Sequence, residues 1–221
     1  MGSFVRTSAG KRLSRRLVRP AGAWRAAGAD PVALPDFVRA LEALALTHGP
    51  FEAAIGHSLG AAALGLAMRR GVRLGRVVFV SPPSSISEHA HNFARLLGIT
   101  PRIREAMRHR IERRYGVRFA EIDRIADLEQ LHMPSLFVHD SDDAEIPFEH
   151  SLRLLERMPG ARLIKTYGLG HYRILRNPAV VGAVVDFVRG NVGDTAGRIA
   201  RPAAPGADLL KRRFTDNNVG V

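Results

Sequence analysis

Residues 56–60 of the chain read Gly-His-Ser-Leu-Gly, and the segments on either side of this pentapeptide decide the fold. Residues 51–56 form a short apolar run that is typical of a buried strand. The run Leu59–Arg69 is rich in Ala and Leu and favours a helix. A serine at such a strand-to-helix junction, with a glycine two positions away on each side, predicts a very tight turn. In that turn the backbone of Ser58 is strained, and side chains in place of the glycines would collide.

Further strands and helices alternate along the rest of the chain. We predict strands at residues 76–81, 135–139 and 161–167, and helices at residues 35–48, 147–158 and 178–189. Strands that alternate with helices indicate βα units and a parallel sheet. Because the predicted strands are short and apolar, we expect both faces of the sheet to be covered.

The pattern divides the chain into three parts. Residues 1–29 contain seven basic residues, no acidic residue and no sustained period, so we expect a disordered basic segment. Residues 30–190 are expected to form one α/β domain, in which residues 84–131 are a charged helical insertion that covers the sheet as a lid. Residues 191–221 are rich in Pro, Ala and Gly and are expected to be a disordered tail.

The loops after two predicted strands carry residues that complement Ser58. A serine hydroxyl becomes a strong nucleophile only beside a base, and that base needs an orienting acid. Residues 140–147, Asp-Ser-Asp-Asp-Ala-Glu-Ile-Pro, and residues 168–171, Gly-Leu-Gly-His, each follow a predicted strand. Loops at the carboxyl ends of parallel strands share one rim of the sheet, so we expect a hydroxyl, a carboxylate and an imidazole to meet there.

The order serine, acid, histidine, with each motif after a strand, resembles the α/β-hydrolase family. The resemblance covers about residues 35–189 and implies a parallel sheet flanked by helices, with a helical lid insertion. In the family, the catalytic acid stands four residues after the His at the strand end and four before a Pro. This register selects Asp143 over Asp140 and Asp142. His171 matches the base that the family presents on a Gly-rich turn.

The resemblance also implies a reaction. Ser58 is then the nucleophile, His171 the base and Asp143 the acid of a serine carboxylesterase-like enzyme. Such an enzyme hydrolyses a small-molecule ester or thioester through an acyl-enzyme and needs no cofactor.

The turn around the serine has its own implied roles. The N–H of Leu59 is implied as one oxyanion donor, and Gly56, His57 and Gly60 complete the turn. We expect His57 to pack beside the strand rather than to react. The family's earlier strands, and the loop that supplies its second oxyanion N–H, have no counterpart before residue 51. A truncated or frameshifted gene product, or a genuine fragment, is therefore expected.

Each candidate residue also has a purely structural interpretation. Ser58 could be a helix N-cap, Asp143 a solvated loop acid and His171 a structural histidine, while Asp140 and Asp142 are expected to be surface or capping groups. The second functional hypothesis is a non-catalytic or weakly active fragment or binding module that lacks a complete oxyanion hole. The first strand of such a fragment would be an exposed sheet edge, through which it could form a homo-oligomer.

The composition bounds the remaining partners. The 221 residues carry a net charge of +12, are 46% apolar and include no cysteine, which excludes disulfides and thiolate metal sites. Only three of the 33 Lys and Arg residues are Lys. Since Arg, Ala, Gly and Pro all have GC-rich codons, a GC-rich gene explains this charge, and nucleic-acid binding through the basic termini is the weaker alternative. We expect the arginines within residues 102–114 to form a solvated face, or alternatively to attract an anionic substrate.

Three further absences are expected. The histidines have no common metal-ligand spacing, so we expect no metal. No apolar run is long enough to cross a bilayer, and the basic N-terminus lacks the apolar segment of a secretory signal. We therefore expect no membrane partner and a cytoplasmic location.

Overall fold

The structure is a computed structural model that describes residues 5–7, 33–123, 128–129 and 131–191. Its strands are β1 (Val5–Thr7), β2 (Phe51–His57), β3 (Leu74–Val80), β4 (Ser135–Asp140) and β5 (Arg162–Thr166). They form one sheet in the order β1-β2-β3-β4-β5, in which β2 to β5 are parallel and β1 is antiparallel to β2. The predicted parallel sheet is confirmed.

Helices connect the parallel strands. Those that flank the sheet are α1 (Leu34–His48), α2 (Leu59–Arg69), α6 (Glu149–Leu155) and α8 (Pro178–Arg189). The insertion between β3 and β4 contains α3 (Ile86–Leu96), α4 (Pro101–Tyr115) and α5 (Phe119–Ile122), and a short helix α7 (Gly170–Arg173) follows β5. The predicted helical insertion is therefore present, and the bounds predicted for α2 and α8 agree with the structure.

Both faces of the sheet are buried, because successive side chains along a strand point to opposite faces. In β3, Val77 and Phe79 belong to the core formed with α2 and α6, whereas Val78 and Val80 belong to the core formed with α8. Phe137 in β4 is fully buried. These strands are thus apolar because both faces of the sheet are buried, as the sequence suggested.

The inserted helices are joined to one another at Asp123, and α4 is largely exposed. The Asp123 carboxylate accepts hydrogen bonds from the N–H groups of Ile86 and Ser87 at the start of α3. Helix α4 has no buried residue, and its Arg108 forms ion pairs with two glutamates of the same helix. These contacts are those of a solvated charged face.

The strand β1 corrects two expectations. Residues 5–7 lie within the segment 1–29, for which no regular structure was expected, and at these three residues that expectation is wrong. They pair with residues 51–54 of β2, so β2 is not the exposed edge of the sheet that was expected. The free backbone groups of β2 supply the partners for β1, a cause that side-chain periodicity does not reveal. Self-association through the outer strand stays a prediction.

The rest of residues 1–29 and residues 192–221 lie outside the described residues, as do the expectations made for them. Among the described helices, none has the length and apolar character needed to cross a bilayer.

Candidate active site

Ser58 lies at the junction of β2 and α2. Its backbone has φ 54° and ψ −124°, a conformation that residues with a side chain rarely adopt, so the turn is strained as predicted. The N–H of Ser58 donates to the carbonyl of Val80 at 2.9 Å, and its carbonyl accepts from the N–H of Ala61 at 2.9 Å. These bonds tie the turn to β3 on one side and to α2 on the other, and hold Ser58 in this conformation.

The two glycines of the motif have different surroundings. A Cβ at Gly56 would lie 2.7 Å from the Cα of Ala61 and 2.7 Å from Cδ1 of Leu64, so a side chain is excluded there. Apart from its chain neighbours and the backbone of its own helix, a Cβ at Gly60 would meet no atom of the described residues within 4 Å. The expected collision at Gly60 is therefore wrong, because this residue lies on a part of α2 that the described chain leaves uncovered.

Asp143 and His171, from the loops after β4 and β5, are in direct contact. The Nδ1–H of His171 donates to Oδ2 of Asp143 at 2.7 Å, and both side chains are buried. This bond selects the tautomer that is protonated at Nδ1, which leaves a lone pair on Nε2. The arrangement can therefore accept a proton at Nε2, as a general base does.

The Asp143 carboxylate is held by several donors. Its Oδ1 accepts the N–H groups of Glu145 at 3.0 Å and Ile146 at 2.9 Å, and Nε2 of His139 lies 3.5 Å from Oδ2. Burial by itself raises the pKa of Asp143, but hydrogen bonds from His139, His171 and the Ile146 N–H lower that pKa far below the usual range. Asp143 is thus a charged carboxylate that can stabilise an imidazolium.

Asp140 is fully buried, so of the expected surface or capping role only the surface part is wrong, because its carboxylate does accept backbone N–H groups. Its Oδ2 accepts the Thr166 hydroxyl at 2.6 Å and the Leu169 N–H at 3.0 Å, and its Oδ1 accepts the Asp142 N–H at 3.0 Å. Although burial raises the pKa of Asp140, the hydrogen bonds led by that from Thr166 lower it. The reason for its burial is that β4 and β5 are neighbours, which only the sheet order reveals.

His57 connects the serine turn to the histidine loop. Its Nε2–H donates to the carbonyl oxygen of His171 at 2.9 Å, and the two ring centroids are 4.5 Å apart. Burial, and then the charge of His171, lower the pKa of His57 to about 4, so the ring is neutral at pH 7. His57 thus packs against the histidine that was predicted as the base, as well as beside its strand.

The Ser58 hydroxyl is the least constrained of the three predicted groups. In the described part of the chain its side chain neither caps α2 nor hydrogen-bonds to His171. Catalytic hydrogen bonds are often long or unformed without substrate, so this geometry does not exclude a reaction. Leu59 is the first residue of α2, where a backbone N–H has no acceptor within the helix and is available to an oxyanion.

Two side chains at the site were missed by the sequence argument. Oε2 of Glu145 lies 3.7 Å from Nε2 of His171 and accepts the Tyr172 hydroxyl at 3.0 Å. Burial and then the charge of His171 lower the pKa of His89 on α3, which places this residue of the lid close to the site. The position of Glu145 two residues after Asp143 was an available signal. His89 had none, because only tertiary structure brings α3 to this rim.

A small cavity of about 50 Å³ lies beneath the inserted helices. Its walls include Ala61 and Gly65 of α2, Phe79 of β3, and Ile86 and Leu128 of the insertion. None of the three predicted catalytic residues lines it. The cavity is therefore a neighbour of the serine turn rather than the place where the polar groups meet.

The histidines of the site have protein partners rather than metal-ligand geometry. His171 uses Nδ1 for Asp143, and His57 uses Nε2 for a backbone carbonyl. Across the ranges that the structure describes, no three His, Asp or Glu side chains are arranged to hold a metal ion.

A strained serine turn after the first of four parallel strands, with a carboxylate and an imidazole after the third and fourth, defines a partial α/β-hydrolase fold. No family model matches the sequence, and no curated protein matches it. Solved structures match the fold. An α/β fold family hydrolase from Bacillus anthracis str. Sterne has a TM-score of 0.51 at 16% identity, over 72% of this chain and 74% of that chain.

A second match is a point mutant of CumD, a meta-cleavage product hydrolase. It has a TM-score of 0.50 at 18% identity, over 75% of each chain. Another mutant of CumD, from Pseudomonas fluorescens IP01 and complexed with acetates, has a TM-score of 0.49 at 19% identity, over 76% of this chain and 75% of that chain. At such identities the first two matches establish the α/β-hydrolase fold and leave the reaction to be inferred from the site.

Proposed function

We propose that this protein is a serine hydrolase that cleaves small esters or thioesters through an acyl-enzyme. The observation that carries the proposal is the buried 2.7 Å hydrogen bond from His171 Nδ1 to Asp143, on the rim that also holds the strained Ser58. A buried carboxylate paired with an imidazole, at the rim of the sheet that also carries a serine on a strained turn, is an arrangement that can activate a hydroxyl.

The reaction runs in two halves. The Ser58 oxygen bonds to the substrate carbonyl carbon while Nε2 of His171 takes the hydroxyl proton, and the N–H of Leu59 stabilises the oxyanion. The bond to the alcohol or thiol then breaks, and the imidazolium returns its proton to that leaving group. Water, deprotonated by the same nitrogen, attacks the acyl-enzyme, and the proton returns to Ser58 as the acid is released. Asp143 stabilises the imidazolium in both halves.

A second candidate is a weakly active or non-catalytic binding module. Two observations favour it: the Ser58 hydroxyl has no hydrogen bond to His171, and residues 5–7 and 33–50, described before β2, contain no loop placed as a second oxyanion donor. Loss of one such donor costs about 100- to 1,000-fold in turnover, so a module of this kind would label slowly or not at all.

Fluorophosphonate labelling tests the proposal. Wild type should label at a single site, Ser58→Ala should not label, and Ser87→Ala, which changes an exposed serine of the lid, should label as wild type. Equal labelling of Ser58→Ala and wild type, or no labelling of wild type, would overturn the proposal in favour of the binding module.

The acid can be tested with a neighbouring pair. Asp143→Asn should reduce hydrolysis of p-nitrophenyl acetate by roughly 10⁴-fold, as removal of the acid does in serine proteases. Asp142→Asn is the matched control, because Asp142 is exposed and its carboxylate accepts the Gly168 N–H at 2.9 Å and the Ser141 hydroxyl at 3.4 Å without contacting His171. A larger loss in Asp142→Asn than in Asp143→Asn would reject the assignment.

A further inference from the structure

The carboxylate of Glu145 stands beside the nitrogen that takes the proton in the proposed reaction. Its Oε2 is 3.7 Å from Nε2 of His171, the nitrogen that faces away from Asp143. The Glu145 side chain is 29% exposed, so it is at the surface of the site rather than in the core. A nucleophile or leaving group that exchanges a proton with Nε2 must therefore pass within a few ångströms of the Glu145 carboxylate.

Two contacts hold Glu145 in this position. The Tyr172 hydroxyl donates to its Oε2 at 3.0 Å, and its backbone N–H donates to Asp143 at 3.0 Å. The Tyr172 ring in turn packs edge-on against His171, with ring centroids 5.0 Å apart. The carboxylate is thus positioned by the same loops that position the acid and the base.

The charge of Glu145 is not neutralised by a permanent cation. Among the described residues no Lys or Arg forms an ion pair with it, and the one basic nitrogen near its carboxylate there is Nε2 of His171, at 3.7 Å. His57 and His89 are neutral at pH 7, because burial and the charge of His171 lower the pKa of each. The chain carries a net charge of +12, yet its site presents a carboxylate with no permanent cation beside it to the substrate.

Two arginines of α4, Arg104 and Arg108, have partners within the lid. Arg108 pairs with Glu105 and Glu112, and Arg104 contacts His91 on α3. The described contacts of these two side chains lie within the lid rather than at His171. These contacts give no support to a role of Arg104 or Arg108 in attracting an anionic substrate, and for the other arginines of the lid that alternative stays a prediction.

We propose that Glu145 is a specificity-determining residue that selects esters with an uncharged or cationic acyl group and disfavours those with an anionic one. This inference rests on the proposed hydrolase function and names its substrate class. Two like charges about 6–8 Å apart near a protein surface repel enough to lower kcat/KM about tenfold at low salt. Because the side chain is partly exposed, added salt should screen much of this effect.

Three p-nitrophenyl esters of similar length test the proposal, since they share one leaving group. They are the neutral valerate, the anionic glutarate monoester and the cationic 4-trimethylammoniobutyrate. Wild type should hydrolyse the glutarate about tenfold less efficiently than the valerate, and the cationic ester at least as well as the valerate. In 0.5 M NaCl the ratio of valerate to glutarate should fall to about 2–3.

Substitutions assign the effect to one residue. Glu145→Gln, which keeps an acceptor for Tyr172, should reduce the ratio of valerate to glutarate about fivefold or more, because any effect on the shared base His171 changes both esters alike and cancels in the ratio. Glu145→Lys should reverse the preference. Glu156→Gln makes the same change of charge at the C-terminal end of α6, where the chain approaches the start of β5 at the opposite rim, and should leave the ratio unchanged.

The outcomes distinguish the proposed hydrolase function from the proposed role of Glu145 in selectivity. Hydrolysis of the valerate with an unchanged ratio in Glu145→Gln keeps the hydrolase function and overturns the role of Glu145, as does an equal drop for all three esters. No hydrolysis of any ester, together with no fluorophosphonate labelling, removes the proposed function and the selectivity with it.

Discussion

The Asp140 carboxylate accepts a 2.6 Å hydrogen bond from the hydroxyl of Thr166, so the ends of two neighbouring strands are joined by side chains as well as by the backbone. The same Oδ2 accepts the N–H of Leu169, which lies two residues before His171. The loop that holds the acid and the loop that holds the histidine are therefore anchored to one buried carboxylate.

We expect Asp140→Ala to weaken the hydrogen bond between Asp143 and His171, although neither of these residues is substituted. The substitution leaves the Thr166 hydroxyl and two N–H groups without an acceptor in the interior, which costs roughly 2–4 kcal/mol of unfolding free energy. Urea unfolding measures that loss, and p-nitrophenyl acetate turnover should fall more than tenfold. Asp142→Ala, which removes an exposed carboxylate of the same loop, should change both by much less.

Substitution by alanine should have opposite effects on stability at the two glycines of the serine turn. Gly56→Ala places a methyl group 2.7 Å from backbone, so it should destabilise the protein by about 2 kcal/mol or more and abolish labelling. Gly60→Ala meets open space on a helix, where Ala is favoured by roughly 1 kcal/mol, and should raise Tm slightly. A tolerated Gly56→Ala would contradict the close packing of β2 on α2.

His57 predicts a loss of stability in mild acid. The pKa of its ring is lowered to about 4 in the fold, from the ordinary value of 6.5, so the unfolded chain binds a proton between these values and the folded chain does not. The contribution of the neutral His57 ring to the free energy of unfolding is therefore complete above pH 6.5 and is lost as pH falls towards 4. His57→Gln should therefore flatten the decline in Tm between pH 7 and pH 5.

His57→Gln should not remove that decline entirely. Burial also lowers the pKa values of His89 and His150, and each contributes with the same sign. His132→Gln, which changes an exposed histidine, is the control and should leave the profile unchanged. A profile that is identical in wild type and His57→Gln would show that the buried ring does not titrate as described.

The strand β1 predicts how the oligomeric state responds to its removal. Deletion of residues 1–7 frees the outer edge of β2 at residues 51–54, and unpaired strand edges promote association. Light scattering after gel filtration should show larger species for the deletion than for the full chain. Arg6→Pro, which removes one N–H from β1, should likewise increase the proportion of larger species. A deletion variant with an unchanged mass would argue against edge pairing.

Local pattern was enough to predict the parallel sheet, the bounds of α2 and α8, and the loops that hold Ser58, Asp143 and His171. Runs of apolar residues mark strands that are buried on both faces, and loops after parallel strands share one rim. The charge of α4 and the strain of the serine turn were likewise readable from a few adjacent residues.

Other features depend on neighbours that are distant in the sequence. Asp140 is buried because β5 lies next to β4, and Gly60 is uncovered because nothing in the described chain packs there. β1 exists because β2 offers free backbone groups, which carry no side-chain signal. Glu145 reaches His171 only because the loops after β4 and β5 meet. Local pattern was sufficient to identify the side chains that stand at the ends of strands. Which of those side chains are buried, paired or exposed to a substrate depends on the packing of distant segments, because burial and charge are set by what surrounds a group in space.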